Sequence, residues 1–188
     1  MKTIVIDAGH GGADPGAVSG NRLEKDDNLR MALAVRDRLV RAGQKVILTR
    51  DRDIYVPLLD RSAVSNDNNA ALFISLHRNY SSLPALNGWE NYVQISSPLV
   101  NFEYAANVLK ECVNVGVQLN LGVKQEDYSV LRNTEAPAQL LEMGFIGNWI
   151  DNTIFDNNFG KYADAMARGI LISLEGVPAV SRVLKLFR

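Results

Sequence analysis

Apolar residues fall along this chain in two rhythms: short unbroken runs, and longer stretches where they return every three or four positions. An unbroken run suits a strand covered on both faces, and the longer spacing marks one face of a helix. Residues 3–6 (Thr-Ile-Val-Ile) open the chain as such a strand. Residues 45–49 and 71–76 read the same way, and 88–95, 129–131 and 138–143 are further strand candidates. Helical spacing relates Leu29, Ala32, Leu33, Val35, Leu39 and Val40, in a helix that Asp26 or Asp27 can cap and Gly43 stops. Pro57 suits the first turn of a short helix carrying Leu58, Leu59, Ala63 and Val64. A long amphipathic helix is expected over 99–119 and a closing one over 162–175. The glycines and Pro15 of residues 9–20 mark a loop between the first strand and the first helix. Strands alternating with helices predict an α/β three-layer sandwich: a mostly parallel twisted sheet of about six strands, with helices on both faces.

The 188 residues fit one domain with a sizeable core, expected over 1–175. Gly176-Val-Pro178 reads as a break, and the apolar-basic tail 176–188 as either a last turn on the domain edge or the start of a linker. An apolar fraction of 47% and a charged fraction of 22% are those of a water-soluble globular chain. A net charge of −1 and scattered aromatics argue against nucleic acid as a partner. The single cysteine, Cys112, lies in a helical pattern, which excludes a disulfide framework and a thiolate zinc cluster and leaves a small buried filler. The first apolar run ends at Asp7, too short for a signal peptide, and no run has the length of a membrane span. The expectation is synthesis in the cytoplasm, without a signal peptide.

Chemistry enters with the two histidines. His10 and His77 each follow an apolar strand run, and ligands of open α/β sheets bind outside the carboxyl ends of strands. Two imidazoles brought to that edge by different strands can converge on one metal ion. Catalytic zinc takes three protein ligands and keeps one position open, so a third donor is needed. Glu24 ends the glycine loop that begins at His10, but a glutamate at a helix start is also a routine dipole partner, and Asp14, Asp26 and Asp27 compete with it. Glu142 follows an apolar strand run and precedes a glycine turn. A glutamate there either works as a general base or is a buried structural carboxylate held by amides or an arginine.

Asp7-Ala-Gly-His-Gly-Gly12, Asp14-Pro-Gly16, Glu24-Lys25, Ser75-Leu-His-Arg-Asn79, Val130-Leu-Arg132 and Leu141-Glu-Met-Gly-Phe-Ile-Gly-Asn148 follow one another in order. In that order they resemble the zinc-dependent N-acetylmuramoyl-L-alanine amidases found as autolysins and phage endolysin catalytic domains. The resemblance spans residues 1–174. It implies one zinc ion on His10, Glu24 and His77, Glu142 as catalytic base, and Asn79 and Arg132 near the substrate, peptidoglycan. Asp7 is a candidate to orient a histidine. A monomer is expected, with a cell-wall-binding module as the kind of unit a linker would join, and action on the cell wall after release or export. Arg78 stands where the family often has a small residue, and Tyr80 follows Asn79; either could narrow the cleft, contact glycan or simply fill surface. The helix-and-loop insertion that regulates some members is not matched between Asn79 and Glu142, a stretch expected to hold strands and one helix, so a constitutively open site is expected. Two other readings share these residues: a zinc peptidase or carboxypeptidase on wall peptides, and a non-catalytic peptidoglycan-binding module. Muropeptide products separate the first, and an intact base speaks against the second.

Overall fold

In a computed structural model that describes residues 1–175, the chain builds a six-stranded sheet between unequal helical layers. In chain order the elements are β1 (Thr3–Ala8), β2 (Val18–Ser19), β3 (Arg22–Leu23), α1 (Glu24–Arg41), β4 (Lys45–Leu48), α2 (Leu58–Asp67) and β5 (Leu72–Asn79). There follow β6 (Trp89–Val93), α3 (Leu99–Val115), β7 (Asn120–Gln125), α4 (Ser129–Arg132), β8 (Ala138–Phe145), α5 (Trp149–Asn157) and α6 (Phe159–Leu174). The sheet order is β4-β1-β5-β8-β6-β7. Neighbours from β4 to β8 run parallel, β6 is antiparallel to β8, and β7 follows β6 in parallel. The expected three-layer, mostly parallel sandwich is the fold observed.

Period-two alternation divides each central strand between the two layers. Ile4, Ile6 and Ala8 of β1, Leu72, Ile74 and Leu76 of β5, and Leu141 and Met143 of β8 join Met31, Val35 and Leu39 of α1 and the buried stripes of α3 and α6. Gly169 lets α3 and α6 close up, since a Cβ there would stand 2.5 Å from Val108 Cα. Cys112 sits in this layer, where burial pushes its thiol up in pKa, and it acts as filler. The opposite face is thinner: Val5, Phe73, Ala138 and Leu140 meet Val64 of α2 and Val130 and Leu131 of α4.

From β1 the chain crosses to β4 on one side, while β5 lies on the other side of β1. Such a reversal opens a crevice at the carboxyl ends of the strands. Between β5 and β8 the pairing runs His77↔Glu142 and then Asn79↔Phe145, so β8 carries one extra residue there. Gly144, at φ 80, accommodates this bulge.

Several boundaries differ from expectation. Residues 129–131 form the first turn of α4, because a three-residue apolar run fits a helix turn as well as a strand. Helix α1 begins at Glu24, with Leu23 at the N-cap and no side-chain cap, so neither Asp26 nor Asp27 caps it. Helix α3 stops at Val115 because Gly116 turns to φ 117, and residues 120–125 become the edge strand β7, which has little alternation to betray it. Mostly polar α5 has one sequence signal, Asn148, whose side chain accepts from the Ile150 and Asp151 amides. The stretch from Asn79 to Glu142 therefore holds two helices, α3 and α4, rather than one. The tail 176–188 lies outside the described residues. Among the described residues no helix is long and apolar enough to cross a membrane.

Candidate metal centre and cleft

His10 stands two residues past β1 with φ 61, a left-handed conformation that costs a non-glycine residue about 1 kcal/mol or more. Buried cations hold the turn there through its carbonyls. Arg50 donates from Nε to Ala8 O (2.8 Å) and from Nη2 to Gly9 O (2.9 Å). Arg61 donates from Nη1 to Ala8 O (2.8 Å) and from Nη2 to His10 O (2.9 Å). Two glycines are required by contact: a Cβ at Gly9 would stand 2.3 Å from the His77 ring, and one at Gly16 2.6 Å from both Glu24 Oε2 and His10 Cδ2.

His77 lies inside β5, not past its end, and points to the thin face as Phe73 and Ser75 do. The two imidazoles meet edge to face with centroids 5.0 Å apart. Glu24, the first residue of α1, sits between them: its Oε1 is 3.2 Å from His10 Nε2 and 2.9 Å from His77 Nδ1. The same carboxylate accepts from the Ala17 amide on Oε2 (2.8 Å) and from the Arg78 amide on Oε1 (3.1 Å). Burial opposes its ionisation, but hydrogen bonds and charge from both histidines win and hold the carboxyl far below its usual range. His10 responds in the opposite sense. Burial alone would lower its pKa, yet Glu24 and then Asp14 raise it to about 9. Donor atoms of His10, Glu24 and His77 all lie within 4.8 Å of one another, a group that could hold one metal ion.

Of the competing carboxylates, Asp14 serves a histidine, with Oδ2 2.8 Å from His10 Nδ1. With the ring proton on Nδ1 and hydrogen-bonded to Asp14, the Nε2 lone pair would be available to a metal ion. Asp26 is exposed, and Asp27 is buried in ion pairs with Arg22 and Arg78. Asp7 does not orient a histidine. Its carboxylate accepts from Thr49 Oγ1 (2.7 Å), Arg61 Nη1 (2.7 Å) and Ser75 Oγ (2.6 Å), because β1 places it directly against β4, α2 and β5.

Glu142 faces His77 across the β5–β8 pairing. Its Oε2 is sheltered from water with no hydrogen-bond partner among the described residues. Burial, reinforced by the charges of Glu24 and Glu90 and opposed by the histidines, pushes its pKa up to about 7. Among the described residues no arginine or backbone amide bonds Oε2 as one would bond a structural carboxylate. A cavity of about 430 Å³ is lined by His10, His77 and Glu142 and walled by Tyr55, Val56, Leu58 and Tyr128.

Asn79 and Arg132 do not line that cavity. Asn79 Nδ2 donates to Glu90 Oε1 (2.5 Å), and Arg132 is exposed and paired with Asp127 (2.5 Å). Arg78 is neither a cleft wall nor surface filler but one of the largest fully buried side chains, whereas Tyr80 is exposed. Sequence reasoning passed over Arg50, Arg61 and Glu90. An arginine that serves backbone carbonyls leaves no periodic signal, since its partners come from other elements.

Two imidazoles and a carboxylate that could hold a metal ion converge at the carboxyl edge of an α/β sheet, with a second carboxyl of raised pKa beside them, an arrangement suited to hydrolysis. The Amidase_3 family, described as N-acetylmuramoyl-L-alanine amidase, matches residues 4–171, and the chain belongs to it. It is 36% identical over 172 residues to the uncharacterized protein YqiI of Bacillus subtilis, covering 90% of this chain and 83% of that one. It is 37% identical over 164 residues to the probable cell wall amidase LytH of Staphylococcus aureus, covering 85% of this chain but 53% of LytH. Among solved structures, the catalytic domain of CwlV, an N-acetylmuramoyl-L-alanine amidase from Bacillus (Paenibacillus) polymyxa, superposes with a TM-score of 0.86 at 37% identity. That match covers 93% of this chain and 99% of the CwlV domain.

Proposed function

We propose that residues 1–175 form a zinc-dependent amidase domain that cleaves the amide between the lactyl group of N-acetylmuramic acid and L-alanine of the stem peptide. The observation that carries this reading is the His10–Glu24–His77 group beside Glu142 in one cavity. The donor set fits the metal: two imidazole nitrogens and one ionised carboxylate make a ligand trio of catalytic zinc. When bound, zinc supplies a Lewis acid that polarises the scissile carbonyl and acidifies water toward neutrality.

The chain's own residues do the rest. Glu24, kept ionised, anchors the charge of the site, and Asp14 fixes the tautomer of His10. Glu142 takes a proton from the attacking water on Oε2 and returns it to the departing amide nitrogen, a task suited to a carboxyl with a pKa near 7. The apolar walls around Tyr55 and Tyr128 limit water at the reacting carbon. Asn79 and Arg132 are proposed as rim contacts that would exchange Glu90 and Asp127 for substrate. The site is proposed to work without an activator.

The test is digestion of purified cell wall by the purified chain, with muropeptides identified by mass spectrometry. Intact stem peptides and peptide-free glycan are expected, lost with chelator and restored by zinc. Shortened peptides would mean a carboxypeptidase, and bound but uncut wall a binding module. His77→Ala is expected to abolish stoichiometric zinc by elemental analysis. A variant that keeps its zinc would move the metal elsewhere.

A further inference from the structure

Arg78 directly follows His77, yet its side chain leaves β5 on the opposite face and is 1% exposed. Its contacts join α1 and β8, which carry site residues, to α5. The backbone N–H donates to Glu24 Oε1 (3.1 Å), and Nη1 donates to Asp27 Oδ2 (2.5 Å). Glu24 and Asp27 stand three residues apart on the first turn of α1, so one residue of β5 grips that turn at two points on one face. The rest of the guanidinium reaches Gly144 O (3.3 Å), two residues past Glu142, and Asn152 Oδ1 of α5 (2.6 Å). Its Cζ lies over the Phe155 ring, 4.4 Å from the centroid.

Leu23 at the N-cap of α1 offers no side-chain cap, so the start of the helix is held by residues of other elements. Its other end is secured separately, by Arg38 to Asp164 and to Gly160 O. A hydrophobic side chain of similar volume would serve stability about as well as a buried ion pair does. What it would not do is hold the start of α1 at a set distance from β5.

We propose that the Arg78–Asp27 pair is a positioning device that sets the spacing of Glu24 and His77 for the metal. This inference rests on the metal assignment made above. The planar fork of arginine is essential to it, since lysine can satisfy one of these directions but not three.

The test is zinc affinity of the purified chain by competition with a chromophoric chelator, alongside thermal unfolding and the visible spectrum of the cobalt(II)-loaded protein. Arg78→Met is expected to weaken zinc binding about 10- to 100-fold in protein that remains folded, and to shift the cobalt spectrum. Arg78→Lys should fall between it and the wild type. Asp27→Asn should weaken binding in the same sense, and it provides the measurement if Arg78→Met does not fold. Arg38→Met, at the other end of α1, should lower the unfolding temperature and leave zinc affinity unchanged. Folded Arg78→Met or Asp27→Asn protein that binds zinc as tightly as wild type, with an unaltered cobalt spectrum, would overturn the inference. A wild-type chain that binds no zinc would overturn the metal assignment and this inference with it.

Discussion

The two faces of the central strands part company at their carboxyl ends. Toward α1, α3 and α6, the side chains are mostly apolar: Ile4, Ile6 and Ala8 of β1, Leu72, Ile74 and Leu76 of β5, and Leu141 and Met143 of β8, with Gln139 and Arg78 as buried polar exceptions. Toward α2 and α4 they begin apolar, with Val5, Phe73 and Leu140, and then turn to Asp7, Ser75, His77 and Glu142. The short helices cover the amino half of that face and leave the carboxyl half to the cavity. One strand therefore serves two purposes by alternation alone: Ile74 packs the core while Ser75, its neighbour, bonds Asp7. The difference predicts that substitutions on the two faces fail in different ways.

The largest effect should come from Glu142→Gln, which keeps shape and removes the base. Amide cleavage is expected to fall about 10²- to 10⁴-fold, while zinc content and unfolding temperature hold or rise. Near-normal turnover would strip Glu142 of its role. On the other face Ile74→Ala should do the reverse, lowering unfolding free energy by about 2–5 kcal/mol in urea titrations. Its cleavage rate per folded molecule should stay near wild type. A loss of rate without loss of stability would mean that the two faces are not separable.

The same contrast explains what could be read in the sequence. Apolar runs marked β1, β5 and β8 because both faces of those strands are covered, and the helical spacing of α1, α3 and α6 follows from their packing on the thick face. His10 and His77 stood out because histidine is scarce and both follow apolar runs. Glu24 and Glu142 were legible as suspects and gained roles only from the order of the surrounding motifs. What escaped depends on contacts between distant segments. Asp7 is one candidate partner for a histidine by sequence, yet strand register gives it to Arg61 and leaves Asp14, four residues past His10, to bond the ring. From sequence Arg78 reads as a cleft wall, a glycan contact or surface filler, because nothing local says that α1 and α5 close over it.

Asp7 and Glu142 share the thin face but should respond oppositely to pH in metal-free protein. Burial alone would raise the pKa of Asp7, but Arg61 and the Ser75 and Thr49 hydroxyls outweigh it and hold the value below normal. Its contribution to stability is complete above ~3.9, the unfolded value, and is lost as pH falls through the lower folded one. Glu142, raised to about 7, stabilises the fold in its protonated form, and that contribution is lost as pH rises from ~4.3 through 7. Chelator-treated Glu142→Gln should therefore gain on wild type between pH 5 and pH 8, by no more than about 3 kcal/mol in urea unfolding. An equal difference at both pH values would show that Glu142 ionises normally in the fold.

The smallest effect expected is that of Asp14→Ala. Asp14 is half exposed, but it bonds His10 Nδ1 with Oδ2 and accepts the Gly16 amide on Oδ1 (3.0 Å), so it steadies both the ring and the loop that folds Glu24 back. Its loss should leave the apolar core untouched and the unfolding temperature nearly so. Zinc affinity should drop about 10- to 100-fold, because the His10 ring would lose the bond that fixes its tautomer and rotation. Asp14→Asn can still accept a hydrogen bond from the Nδ1 N–H, but without full charge, and it should recover part of that loss. If both variants bind zinc like the wild type, the turn held by Arg50 and Arg61 is enough to orient His10 unaided. The boundary between scaffold and chemistry would then lie at the backbone carbonyls of Ala8, Gly9 and His10.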